Sequence, residues 1–126
     1  MSERTPAYIR EHGPMEQPLR VVKLDDAVAT LKQEPAWQRD TRLARTLTKE
    51  GRLRLVLTIM RAGARLHEHK AEGALTLHCV EGSLLLRIPE NHPIELAAGE
   101  LIVLDAGISH GVEAVTECAF LLTIAQ

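Results

Sequence analysis

The chain has 126 residues, 45% apolar and 25% charged, with a net charge of −2, which predicts one domain with a core of ordinary size. No apolar run approaches the roughly 18 residues of a membrane span, and one Trp, one Tyr and one Phe offer few stacking surfaces for bases, so neither membrane nor nucleic acid is an expected partner. The opening MSERTPAYIREHGPMEQP carries no basic-then-apolar leader, and Cys79 and Cys118 form neither a metal spacing nor a disulfide framework; both observations predict a reduced, cytoplasmic protein.

Residues 1–40 read as an N-terminal arm followed by a short helix, and residues 41–126 as a β-barrel domain. Three prolines and the adjacent breakers Gly13-Pro14 mark the first 18 residues as an arm without a core of its own. KLDDAVATLKQEP then has the helical spacing, with Asp25 or Asp26 as cap, Ala27, Val28 and Leu31 as the apolar side, and Pro35 as the stop. From Thr41 the period changes to two. TRLARTLTKEGRLRLVLTIM reads as two strands about a Glu50-Gly51 turn, with Leu53, Leu55, Leu57 and Ile59 on one face and Arg52 and Arg54 on the other. Short strands follow at about 65–69, 74–80, 83–88, 93–96, 101–105, 109–115 and 117–125, separated by turns rich in Gly and Pro. Many short strands at even spacing predict an all-β sandwich or barrel.

The charge is unevenly spread. Residues 1–66 hold 13 Lys/Arg against 8 Asp/Glu, and residues 67–126 hold 2 against 9. Such a split supports contact between unlike halves of two subunits, or a solvated surface with local pairs. A homodimer is expected on a second ground: Val56 and Met60 make the face of β-strand VLTIM taken as outward more apolar than solvent favours.

The stretch GARLHEHKAEGALTLHCVEG raises the question of chemistry. His67 and His69 are two apart, so on a regular strand both rings share a face and can offer two imidazoles to one ion. Arg45 alternates with Leu43 and Leu47 and is expected on the buried side, lining the pocket as a partner for a carboxylate. His92 lies in a turn and His12 in the arm. Glu50, Glu81, Glu90 and Glu100 sit beside turns and need no function.

The later segment GELIVLDAGISHGVEA resembles the second motif of the cupin superfamily, G-x5-P-x-G-x2-H-x3-N: Gly99, Gly107 and His110 match, while Asp105 stands in place of Pro and Ala114 in place of Asn. In the first motif, G-x5-H-x-H-x3,4-E-x6-G, His67, His69 and Gly82 match in order, and Gly63 lies four residues before His67 rather than six. The resemblance spans about residues 52–125. The stretch E-H-K-A-x-G also resembles a small cupin subgroup in which a histidine at position 67 is not required.

The resemblance implies a cupin-type double-stranded β-helix, or jelly-roll barrel, with His67, His69 and His110 as ligands of a divalent metal ion such as Zn, Fe, Mn or Ni. Counting back seven residues from Gly82 lands on Leu75 where the family places a glutamate, so Leu75 is expected as an apolar wall of the pocket. His78, Glu72 or water are the candidates for the fourth position. Two functions follow: a metal-dependent enzyme of dioxygenase or isomerase type acting on a small molecule, or a metal-free small-molecule-binding or sensing dimer.

Overall fold

The structure, a computed structural model, describes residues 9–11 and 19–126; most of the arm, His12 included, lies outside the described residues. In chain order the elements are β1 (Ile9–Glu11), β2 (Arg20–Val22), α1 (Leu24–Lys32), a 3-10 turn (Pro35–Gln38), β3 (Arg42–Glu50), β4 (Leu53–Met60), β5 (Arg65–His69), β6 (Leu75–Glu81), β7 (Ser83–Arg87), β8 (Ile94–Ala97), β9 (Leu101–Leu104), β10 (His110–Ala114) and β11 (Cys118–Ala125). β1 pairs antiparallel with β2, so part of the expected arm is a strand. The others form two antiparallel sheets, β3-β4-β11-β6-β9 and β5-β10-β7-β8. No described helix is long and apolar enough to cross a membrane.

Helix α1 buries Ala27, Val28 and Leu31, the residues its spacing selects. Its N-cap is Lys23, and no side chain caps it. Asp25 and Asp26 lie within the first turn, where they meet the positive end of the helix dipole instead of serving as the expected cap. The helix closes at Lys32, and Pro35 opens the 3-10 turn that buries Trp37. The Arg61 guanidinium stacks 4.0 Å from the Trp37 ring centre and donates to the Trp37 carbonyl.

β4 carries apolar residues on both faces, and both faces are covered, although the inner one also holds Arg54 and Thr58. Leu55, Leu57 and Ile59 pack with Ala27, Val28, Leu31 and Trp37, on the side where α1 lies across the five-stranded sheet. Met60, of the opposite parity, belongs to the barrel interior with Leu77, Leu84, Leu86 and Phe120. The apolar character of Val56 and Met60 therefore marks a cavity wall and a core position, and their expected outward placement is corrected. Burying each Leu or Phe fully is worth about 1.5–3 kcal/mol relative to exposure. Two buried layers, one inside the barrel and one under α1, thus share a single sheet. The large apolar side chains left exposed include Leu101 and Val103 on β9, an edge strand.

Gly82 turns the chain between β6 and β7 with φ +71°, and a Cβ there would stand 2.2 Å from the Glu117 carbonyl oxygen. No residue with a side chain fits that approach. The motif glycine is thereby explained by backbone packing at the closed part of the barrel.

Candidate functional site

The site lies where β5 and β10 run beside each other at the barrel mouth. In their register His110 faces His69, but Val112 faces Leu66, so Gly111 alone opposes both His67 and Glu68. This is a β-bulge, and it resets the alternation of side chains along β5. Leu66, three residues earlier, packs against the barrel core, and His69, itself exposed, lies on the same side of the sheet as its register partner His110. His67 instead lines an outer groove with Arg65, Glu68, Arg87, Gly111 and Glu113. The expectation that His67 and His69 share a face is corrected by that one extra residue. Gly111 eases the bulge, since a Cβ there would crowd Glu68 Cγ and the Leu66 carbonyl at 3.2 Å.

His69 and His110 come together, with ring centres 4.4 Å apart and planes tilted by 56°. Each Nδ1 lies 3.1 Å from a carbonyl oxygen two residues earlier, that of His67 for His69 and that of Ile108 for His110. A carbonyl only accepts, so each Nδ1 carries the hydrogen and each Nε2 is left as a lone-pair nitrogen in the neutral ring. The two peptide groups act as orienting partners behind the rings. His110 is 1% exposed and its Nε2 is buried with no hydrogen-bond partner. A buried polar atom left unpartnered costs about 1–3 kcal/mol. Burial holds the His110 imidazole below its ordinary value of 6.5, the nearby His69 ring lowers it further, and the bond to Ile108 partly offsets both.

His69, but not His110, lines a cavity of about 400 Å³, whose lining also includes Arg54, Val56, Lys70, Glu72, Leu75, Leu122 and Ile124. Leu75 sits on the inner face of β6, 4% exposed, and gives the cavity an apolar wall where the family pattern would put a carboxylate. Gly73 closes one side: a Cβ on it would overlap the Ala125 carbonyl, so β6 can start this close to β11 only with glycine there.

The other candidates fall elsewhere. His78 pairs with Leu121 on β11 and Leu101 on β9, and the register from Leu75 to His78 has no bulge. Its ring therefore lies on the outer face of the sheet, opposite Leu75, and cannot join the cavity. Arg45 does alternate with Leu43 and Leu47, but that face of β3 is the one α1 covers. It is exposed and ion-paired with Glu34, so the pocket-lining expectation for Arg45 is corrected. His92 is exposed in its turn. Glu72 lines the cavity, yet among the described residues no group of three or more His, Cys, Asp or Glu converges as a metal cluster.

Sequence reasoning passed over Arg54 and Lys70. Arg54 was readable as opposite in parity to Leu53, Leu55 and Leu57, but only the covering helix shows that this opposite face is the inside of the barrel.

Two antiparallel sheets closed face to face around these histidines are the cupin fold, the double-stranded β-helix. Solved structures agree. A cupin-2 domain-containing protein of Shewanella frigidimarina matches with TM-score 0.67 and 19% identity, over 84% of this chain and 95% of its own. An RmlC-like cupin of Desulfovibrio desulfuricans matches with TM-score 0.64 and 24% identity, over 92% and 95%. A conserved protein of unknown function from Streptococcus pyogenes matches with TM-score 0.66 and 23% identity, over 98% and 97%. No family model matches the sequence, and no curated protein is significantly similar to it.

Proposed function

We propose that this chain is a small-molecule-binding cupin in which His69 and His110 hold a divalent metal ion beside the cavity. The observation behind this reading is the orphaned Nε2 of His110, buried next to a second imidazole whose tautomer is fixed in the same way. Two oriented imidazoles fit part of the coordination shell of zinc, iron, manganese or nickel. Glu72 is the carboxylate of the cavity lining nearest in sequence to His69, and it or solvent would complete the shell. An ion so held supplies Lewis acidity toward a bound small molecule, as a metal-dependent enzyme of dioxygenase or isomerase type requires.

Metal analysis of untagged protein, followed by Mn(II) titration monitored by electron paramagnetic resonance, tests the reading. Wild-type protein binds the ion; His110→Ala and His69→Ala do not; His67→Ala binds as wild type. Metal binding that survives His110→Ala defeats the proposal.

One observation favours a second reading, a cavity that binds its ligand without metal. Leu75 occupies the position of the family carboxylate, and the bulge removes His67, so the protein offers fewer donors than a tightly held ion uses. Protein that binds no metal yet takes up small molecules in the cavity establishes that reading.

A further inference from the structure

Arg54 stands on the inner face of β4, opposite Ile124 of β11, which in turn faces Leu75 of β6. Its Nε is buried without a hydrogen-bond partner. Arg54 has no acidic partner among the described residues; Arg20, Arg42, Arg52 and Lys70 also lack one, but they are exposed, whereas Arg54 is half-buried. A guanidinium stays charged at any physiological pH, so it cannot escape its environment by losing a proton. Half-buried, with its Nε enclosed and no carboxylate paired to it, it favours an anion that enters the cavity.

The rest of the cavity says what kind of anion fits. Lys70 adds a second positive charge, and Glu72 is the one acidic side chain among the described lining residues. Val56, Leu75, Leu122 and Ile124 form an apolar wall beside Arg54. One planar guanidinium fork matches the two oxygens of a carboxylate. A phosphate dianion is usually cradled by several backbone donors at a helix N-terminus, and no helix contributes to this lining.

We infer that the cavity takes a small organic carboxylate, its anionic group held by Arg54 and its apolar body laid against Leu75, Leu122 and Ile124. This rests on the cavity being the ligand site proposed above, but it does not require the metal ion.

The test is a titration of the full chain, stripped of metal with EDTA, followed by methyl signals of Leu75, Leu122 and Ile124 in nuclear magnetic resonance. The probes are hexanoate, benzoate and the neutral analogue benzamide, each to about 10 mM, beyond the weak end of ordinary affinities. At least one carboxylate should move these signals saturably, and benzamide should bind about tenfold more weakly or worse. Arg54→Gln should lose about tenfold or more in carboxylate affinity, and Arg54→Lys should fall between it and wild type. Should Arg54→Gln fail to fold by circular dichroism, the ratio of benzoate to benzamide affinity in Arg54→Lys decides: a reduced ratio supports the inference and an unchanged one overturns it. The inference also falls if neither carboxylate binds, if benzamide binds as well as benzoate, or if folded Arg54→Gln binds like wild type. Carboxylate binding that depends on His110 and not on Arg54 overturns it too. Arg54-dependent binding in a protein that takes up no metal leaves the inference standing while the metal reading fails.

Discussion

The two faces of β4 are both covered, yet they do different things. On the outer face Leu57 and Ile59 are fully enclosed beneath α1. On the inner face Arg54 and Val56 line a cavity, and Thr58 and Met60 toward the strand's far end are buried. Enclosure without a gap is stability; enclosure with a gap beside an unpaired charge is a place for a ligand. Hydrophobic pattern alone does not separate these cases, because each Leu or Val gains from leaving water whichever layer receives it.

The contrast can be broken first at Leu57. Leu57→Ala removes a fully buried side chain from beneath α1 and should cost about 2–5 kcal/mol in chemical denaturation, since the helix cannot collapse fully into the gap. If the loss is under about 1 kcal/mol by that measure, α1 is not packed as described. Val56→Ala, on the cavity side, should cost only about 1 kcal/mol, because part of its surface already faces open space. Equal losses at the two positions would erase the distinction between the faces.

A pH series sharpens the same contrast at His110, in metal-free protein. Its folded-state value lies below the ordinary 6.5, chiefly through burial and then through His69. The unfolded chain therefore takes up a proton at this residue before the folded protein does. Its contribution is fully present above 6.5 and is lost as the pH falls through the lower folded-state value. The urea midpoint should drop between about pH 7.5 and pH 5.5, and His110→Gln should flatten part of that drop. A slope unchanged in the variant means that another group carries it.

The smallest effect is expected at Arg45. Its pairing with Glu34 is partly solvent-exposed, so Arg45→Ala should change stability by no more than about 1 kcal/mol and leave ligand and metal binding untouched. A large loss of binding would return Arg45 to the pocket.

Much of the barrel is legible in the amino-acid pattern. Period-two alternation from Thr41, the Glu50-Gly51 turn and the glycines at 82, 99 and 107 lie where the strands and turns are found. The helix is legible from Ala27, Val28 and Leu31, though its cap is not, since nothing in the sequence distinguishes an Asp at the cap from an Asp in the first turn. The assignment of β4's faces fails for a related reason. A strand covered on both sides has no clearly solvated face to orient it, and its polar residues, Arg54 and Thr58, also suit a solvent-facing position.

The site shows where local rules end. Parity from the sequence puts His67 with His69, and parity is correct for any regular strand. A bulge is settled between two strands: one extra residue on β5 is accommodated because Gly111, far along the chain, has no side chain to obstruct Glu68. The sequence by itself determined the alternation, the turns, the chain's β character, and His110 and Leu75 as residues to watch. Only the tertiary structure decided which face of β4 lines the cavity, that His67 and His78 turn away from it, and that Arg54 lies unpaired in the same lining as His69. These depend on the register between strands and on the layer α1 covers, contacts between residues distant in sequence that no local period encodes.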